Sequence, residues 1–251
     1  KVSMLFITGG LKMFNYLLVI AVVAGYLVFE YPRLFYYYLR RNKIALDKRL
    51  KYIRKVSNRL TSLAGIEYHI EGLENIPENE TLVFTPNHQS ALDILILGVI
   101  PVAAAPIAKI EILKLPFFNL LAIVGDSILL DRKDLRSSYQ TVIDIKNRLE
   151  SKRNIIVFLE GTRSKNADHT LLEFKPGGLK PVYQSFATIV PVAIHGYFRV
   201  LTKTKKSYKS KVYISFMKPI KYQDYKDINN IDLSASLQQQ INAKVQELKN
   251  K

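Results

Sequence analysis

The sequence predicts an α/β fold: a single domain with a central, mostly buried β-sheet flanked by helices, plus an N-terminal hydrophobic helical segment that associates with membrane. Three observations carry this. From Tyr68 to Met217, short apolar runs alternate with stretches whose apolar residues recur at helical spacing, the pattern of a sheet covered by helices. Two polar clusters directly follow the apolar runs at 81–85 and 154–159, and ligands of α/β sheets sit off the carboxyl ends of strands. The stretch from Met13 to Phe29 carries no charge.

That opening stretch spans 17 residues, about 26 Å as a helix at 1.5 Å per residue, against a ~30 Å hydrocarbon core. Its length fits a span assisted by neighbours, half of a hydrophobic hairpin, or burial in one leaflet. A core helix of similar length is the competing reading. An aromatic cluster, Tyr31 and Phe35 to Tyr38, follows at the position of a membrane–water interface. Nine basic residues come next, Arg40, Arg41, Lys43, Lys48, Arg49, Lys51, Arg54, Lys55 and Arg59, with Asp47 the only acid among them. Such a juxtamembrane segment belongs on the cytoplasmic face, each charge worth about 1 kcal/mol near anionic lipid. A cleaved signal peptide fits worse, because the basic flank follows the apolar run and no small-x-small site precedes a polar start. Residues 1–3 precede Met4 and are set aside from the fold. The expected division is 1–60 for anchor and basic segment and 61–251 for the α/β domain.

Further elements follow from pattern. Tyr68 to Gly72 reads as a strand with His69 exposed, Thr81 to Thr85 as a buried strand, and Asp93 to Val99 as a helix. Val102 to Ala108 is a strand, Leu135 to Glu150 an amphipathic helix, and Asn154 to Leu159 a fully buried strand. Gly178 to Phe186 is a helix, Thr188 to Ile194 a strand, and Lys211 to Met217 alternates as a half-exposed strand. An amphipathic helix through Leu237, Ile241, Val245 and Leu248 closes the chain, with its cap near Ser234.

Composition narrows the function. The net charge of +16 calls for a polyanionic partner, nucleic acid or an anionic membrane surface. Because the charge clusters beside an apolar anchor and no base-stacking or groove-reading motif occurs, membrane is expected and nucleic acid is not. A second basic patch, Lys203, Lys205, Lys206, Lys209 and Lys211, reads equally as a solvated loop or a membrane contact. With no cysteine, the chain has neither a disulfide framework nor a cysteine acyl-enzyme, and no metal-ligand spacing or glycine-rich phosphate loop is present.

Chemistry concentrates in two segments. In Asn87-His88-Gln89-Ser90-Ala91-Leu92-Asp93, Pro86 ends the strand, so His88 falls on a strand-to-helix turn. Ser90 is a candidate N-cap and Asp93 the third helical residue, pointing back toward the turn. A carboxylate on one ring nitrogen fixes the tautomer and frees the other nitrogen to take a proton from a hydroxyl. A simple Ser/Asp capping box with a polar His in the loop satisfies the same spacing. In the second segment, Glu160-Gly161-Thr162-Arg163-Ser164 forms a polar cradle in which Arg suits phosphate and Gly permits close approach. A solvated turn with a Glu–Arg ion pair fits those residues too. His169 and His195 read as loop residues near the site by sequence only.

Taken together, Asn87-His88 with Asp93 and Phe158-Leu159-Glu160-Gly161-Thr162-Arg163-Ser164 resemble the glycerolipid acyltransferases, most closely the bacterial 1-acyl-sn-glycerol-3-phosphate acyltransferases. Two more blocks fit in order. Ala108 to Ile112 leads through Pro116-Phe117-Phe118 to Gly125 to Arg132, and Ile189 to Ile194 is similar to the family's fourth block. The resemblance runs from about Leu82 to Gly196. Leu159 stands where the family usually has proline, which changes backbone restriction and removes no reactive group. Phe174 to Gly178 resembles the family's basic glycine turn, with Pro176 in place of a second basic residue.

The resemblance implies an acyl transferase whose acceptor is a lysophospholipid and whose donor is an acyl thioester, acyl-CoA or acyl carrier protein, as co-substrate, with no bound cofactor or metal. It implies His88 as general base oriented by Asp93, and Arg163 on the acceptor phosphate with Glu160 and Thr162 placing the glycerol and Gly161 allowing the approach. Lys109 and Arg132 are further phosphate or donor contacts, and Asn87 fixes the His turn. Glycerol-3-phosphate, another lysophospholipid or a lipid amine are alternative acceptors under the same motifs, and a non-catalytic lipid binder is the alternative class.

Overall fold

The structure is a computed structural model that describes residues 2–131, 133–164, 170–200 and 209–251, with the side chains of 2–16, 135 and 138 left aside. Among the described residues, seven strands form one sheet in the order β1-β7-β6-β2-β5-β3-β4. They are β1 (Ile66–Glu71), β2 (Leu82–Pro86), β3 (Ala104–Lys109), β4 (Ile128–Leu130), β5 (Asn154–Ile156), β6 (Thr188–His195) and β7 (Ser210–Phe216). Every pairing is parallel except β6 with β7. The carboxyl ends of β2, β3, β4, β5 and β6 therefore share one edge of the sheet.

Alternation sorts each strand's side chains onto two faces. Leu82, Phe84, Ile156, Val190, Val192 and Ile194 enter one core, while Val83, Ile155, Ile189 and Ala193 enter the other. The central strands β2 and β6 are buried on both faces, which is why they read as continuous apolar runs, while the edge strand β1 is partly exposed. Helices α1 (Val2–Leu39), α2 (Leu46–Leu63) and α3 (Phe118–Val124) cover the first face. Helices α4 (Leu135–Glu150), α5 (Lys180–Ser185), α6 (Tyr222–Tyr225) and α7 (Asn230–Lys249) cover the second.

The N-terminal helix is longer than the charge-free run suggested. It begins at Val2, includes residues set aside on sequence grounds, and continues through Pro32 and the aromatic cluster to Leu39. Its stretch Leu17–Leu39 is long and apolar enough to cross a membrane, and only Val19, Glu30 and Leu34 in it are buried within the protein. The basic segment after it is an amphipathic helix. Its stripe Tyr52, Ile53, Val56 and Leu60 packs into the first core, and its basic residues line the other side. Glu30, buried at 7% exposure, accepts a hydrogen bond from Tyr52 at 2.9 Å and ties α1 to α2. Gly98 lets α2 approach closely, since a Cβ there would collide with the Asn58 side chain.

Several boundaries differ from expectation. The segment after Ser90 is a 3₁₀ helix, Ala91–Gly98, and not an α-helix. Strand β5 ends at Ile156, although the Val157 N–H still donates to the Phe84 carbonyl at 2.9 Å. Helix α7 starts earlier, capped by Asn229, whose side chain accepts from the N–H groups of Ile231 and Asp232. Ser234 is instead buried and donates to the Phe174 carbonyl at 3.2 Å. His195 ends β6 and is 2% exposed, so it is not a loop residue. His169, Lys203, Lys205 and Lys206 lie outside the described residues.

Candidate active site

The site grows from the end of β2. Pro86 still pairs with Val192 on β6, and the Asn87 side chain extends that ladder by one rung. Its Oδ1 accepts from the Ile194 N–H at 2.7 Å and its Nδ2 donates to the Ile194 carbonyl at 3.0 Å. Both groups of Asn87 are thus engaged, and the residue is fully buried. Asn87→Ala orphans a buried N–H and C=O, so a loss of about 1–3 kcal/mol is expected, read as a lower unfolding midpoint.

His88 is the first residue beyond this clamp, and its backbone is held from the neighbouring strand's turn. The His88 N–H donates to Glu160 Oε1 at 2.6 Å, and its carbonyl accepts from the Ser164 N–H at 2.9 Å. The ring lies against Phe158, with centroids 4.3 Å apart. Its Nδ1 is 2.8 Å from Asp93 Oδ2. That same oxygen accepts from the N–H groups of Gln89 at 2.6 Å and Ser90 at 2.8 Å. The Ser90 hydroxyl accepts from the Leu92 N–H at 3.2 Å, completing a capping box. The two readings of this motif are one arrangement: a single carboxylate caps the 3₁₀ turn and orients the imidazole. A carboxylate has no hydrogen to give, so Nδ1 carries the proton and Nε2 is the acceptor. The His88 side chain is 20% exposed and Asp93 is fully buried, so the free nitrogen faces the accessible side. Burial pushes the Asp93 carboxyl up, while the His88 ring and the two N–H groups pull it back.

The second segment turns immediately after β5. Gly161 sits at φ 71°, a left-handed conformation that glycine adopts freely, and its N–H donates to the Phe158 carbonyl at 2.9 Å. Glu160 is 1% exposed. Its Oε1 accepts from His88 and its Oε2 from the Leu172 N–H at 2.8 Å, so the carboxylate ties three chain segments together. Burial raises its pKa to about 7, the Leu172 and His88 N–H groups oppose that rise, and the charge of Asp93 adds to it. Thr162 and Arg163 are exposed beside this knot, and Ser164 is buried.

Lys109 ends β3 on the same edge of the sheet, with β5 between β3 and β2, and pairs with Glu111 at 2.8 Å. Arg132, two residues past β4, lies outside the described residues. A cleft lined by Asp47, Lys51, Arg54, Pro101 and Ala103 opens near the start of β3, at the opposite edge, and includes none of these residues. Sequence reasoning did not single out Phe158 as the ring's support. Nor did it find the buried Tyr197, whose hydroxyl meets that of Tyr68 at 2.6 Å and whose ionisation is suppressed first by burial and, among lesser causes, by the charge of Asp93.

Comparison with known proteins identifies the family and the fold. The acyltransferase family model matches residues 67–195, more than half of the 251-residue chain. A 1-acyl-sn-glycerol-3-phosphate acyltransferase of Borreliella burgdorferi is 33% identical over 136 residues, 53% of each chain. The human 1-acyl-sn-glycerol-3-phosphate acyltransferase alpha is 29% identical over 163 residues, 64% of this chain and 57% of its own. These matches therefore span little more than half the length of those relatives. The crystal structure of the 1-acyl-sn-glycerophosphate acyltransferase from Thermotoga maritima superposes with a TM-score of 0.77 at 25% identity, covering 96% of this chain and 97% of its own. A family match over residues 67–195, on a helix-covered mixed sheet whose carboxyl edge carries a His–Asp pair, places this chain in the acyltransferase family.

Proposed function

We propose that this chain transfers a fatty acyl group from a thioester, acyl-CoA or acyl carrier protein, to the sn-2 hydroxyl of 1-acyl-sn-glycerol-3-phosphate, giving phosphatidic acid. The observation that carries the reading is the His88–Asp93 pair, whose tautomer leaves Nε2 as a proton acceptor at the accessible side. Nε2 takes the proton of the acceptor hydroxyl as its oxygen attacks the thioester carbonyl. Asp93 stabilises the resulting imidazolium. The tetrahedral intermediate collapses, the C–S bond breaks, and the departing thiolate takes the proton back from the ring. No acyl-enzyme is required, and the thioester is a co-substrate, with no resident cofactor or metal.

In this reading Arg163 holds the acceptor phosphate, with Gly161 and Thr162 alongside and Lys109 and Arg132 as further cations for phosphate or donor. Glu160 acts through the backbone of His88 and Leu172, as a positioning residue. The apolar helix with its basic follower holds residues 61–251 against the cytoplasmic face of an anionic membrane, where acceptor and product both reside.

A transfer assay pairing acyl-CoA and acyl carrier protein donors with lysophosphatidate, glycerol-3-phosphate and other lysolipids tests the reading. Turnover is expected with lysophosphatidate; its absence, or a preference for another acceptor, overturns the assignment. Arg163→Ala is expected to raise the acceptor KM about tenfold or more, the worth of one charged hydrogen bond. Donor KM should change little. The reverse pattern moves the phosphate site elsewhere.

A further inference from the structure

The segment between β3 and α3 has a feature that acyl transfer does not use. From Lys109 to Phe118 the chain reads KIEILKLPFF. A 3₁₀ turn, Ile110–Lys114, leaves β3 and leads through Leu115 and Pro116 into α3. Ile110 and Leu113 are each 37% exposed, Leu115 51% and Phe118 41%. The adjacent Phe117 is 5% exposed and holds a φ of 66°, which bulky residues resist. One ring is thus anchored in the core while its neighbour faces outward. Helix α3 lies against α1, whose Val28, Phe29, Tyr36 and Leu39 are themselves exposed. The 110–118 segment thus leads directly into a helix that packs on α1.

We infer that residues 110–118 form a second membrane contact, a monotopic apolar finger that enters the lipid interface beside α1. Three observations favour lipid over a protein partner. The patch leads into α3, which packs on a helix apolar enough to cross a membrane. Lys109 precedes it and Lys114 lies within it, Glu111 being paired with Lys109, and the chain carries +16, complementary to anionic headgroups. It also begins where β3 ends, at the sheet edge that carries His88, so insertion seats that edge on the surface holding a lipid acceptor. The inference builds on membrane association and does not depend on the identity of the acyl acceptor.

The chain contains no tryptophan, so Leu115→Trp supplies a sole indole reporter. The full-length variant is mixed with phosphatidylcholine–phosphatidylglycerol vesicles whose acyl chains carry bromine or do not. The expected result is blue-shifted emission with unbrominated vesicles and loss of most of it with brominated ones. Phe186→Trp, at the end of α5 on the other face, is 65% exposed in the parent and should be unaffected by bromine. If the Leu115→Trp protein sediments with vesicles yet emits as in water, the finger is overturned and α1 alone anchors. Failure of the parent to sediment overturns finger and anchor together, leaving acyl transfer to its own assay. An emission shift on adding acyl carrier protein, without bromine quenching, assigns the patch to a protein partner and overturns the lipid reading.

Discussion

His88→Ala is expected to lower kcat by about 10²–10⁴-fold, the usual contribution of a positioned general base. The fold should survive, because the substitution leaves the backbone bonds of residue 88 to Glu160 and Ser164 in place. Asp93→Ala should lower kcat by a comparable factor for a different reason. Without the carboxylate nothing fixes the proton on Nδ1, and the N–H groups of Gln89 and Ser90 lose their acceptor. Each orphaned amide costs about 1–3 kcal/mol, so this variant should also unfold at a lower temperature. Because ring and carboxylate act as one unit, the double variant should be little slower than the worse single one. Near-parental turnover in either single variant, or losses that multiply in the double, would remove the base assignment.

Much of this arrangement is legible in the sequence where the controlling interaction is local. The His88–Asp93 pairing follows from a strand stop at Pro86 and a cap at Ser90, all within eight residues. Strands β2 and β6 are legible because burial on both faces leaves continuous apolar runs. The 3₁₀ character of Ala91–Gly98 is not, since seven of its eight residues are apolar or glycine and so give no period to distinguish. The stripe on α2 was hidden beneath its charge density, which reads as a surface segment although Tyr52, Ile53, Val56 and Leu60 recur at helical spacing. Helix α3 has only seven residues and follows Phe117 at a positive φ, with no capping side chain to announce it. The start of α7 is ambiguous in sequence because Asn229 and Ser234 both suit a cap, and burial against Phe174 decides between them.

The role of Glu160 illustrates what a sequence withholds. Its partners are the backbone N–H groups of His88 and Leu172, which have no residue signature, so a carboxylate beside Thr162 and Arg163 reads as a substrate ligand or an ion pair. Glu160→Ala leaves both amides without an acceptor, about 1–3 kcal/mol each, and loosens the turn that aims the imidazole. Its kcat should fall more than its KM rises.

Glu160→Gln gives a sharper test through pH. The carboxyl of the parent has a pKa of about 7 in the fold against 4.5 ordinarily. Between those values the folded chain binds more protons than the unfolded one, so raising pH through that window destabilises the parent. The cost is absent below 4.5, grows to about 3 kcal/mol by pH 7 and then levels off. The glutamine variant does not titrate at this position, and its imperfect match to two N–H donors is a constant offset. Thermal unfolding of both proteins in detergent from pH 4 to 8 should show the stability difference moving in the variant's favour as pH rises. A difference that stays flat across this range would mean that the buried carboxylate keeps an ordinary pKa, and that the two amides fully offset its desolvation.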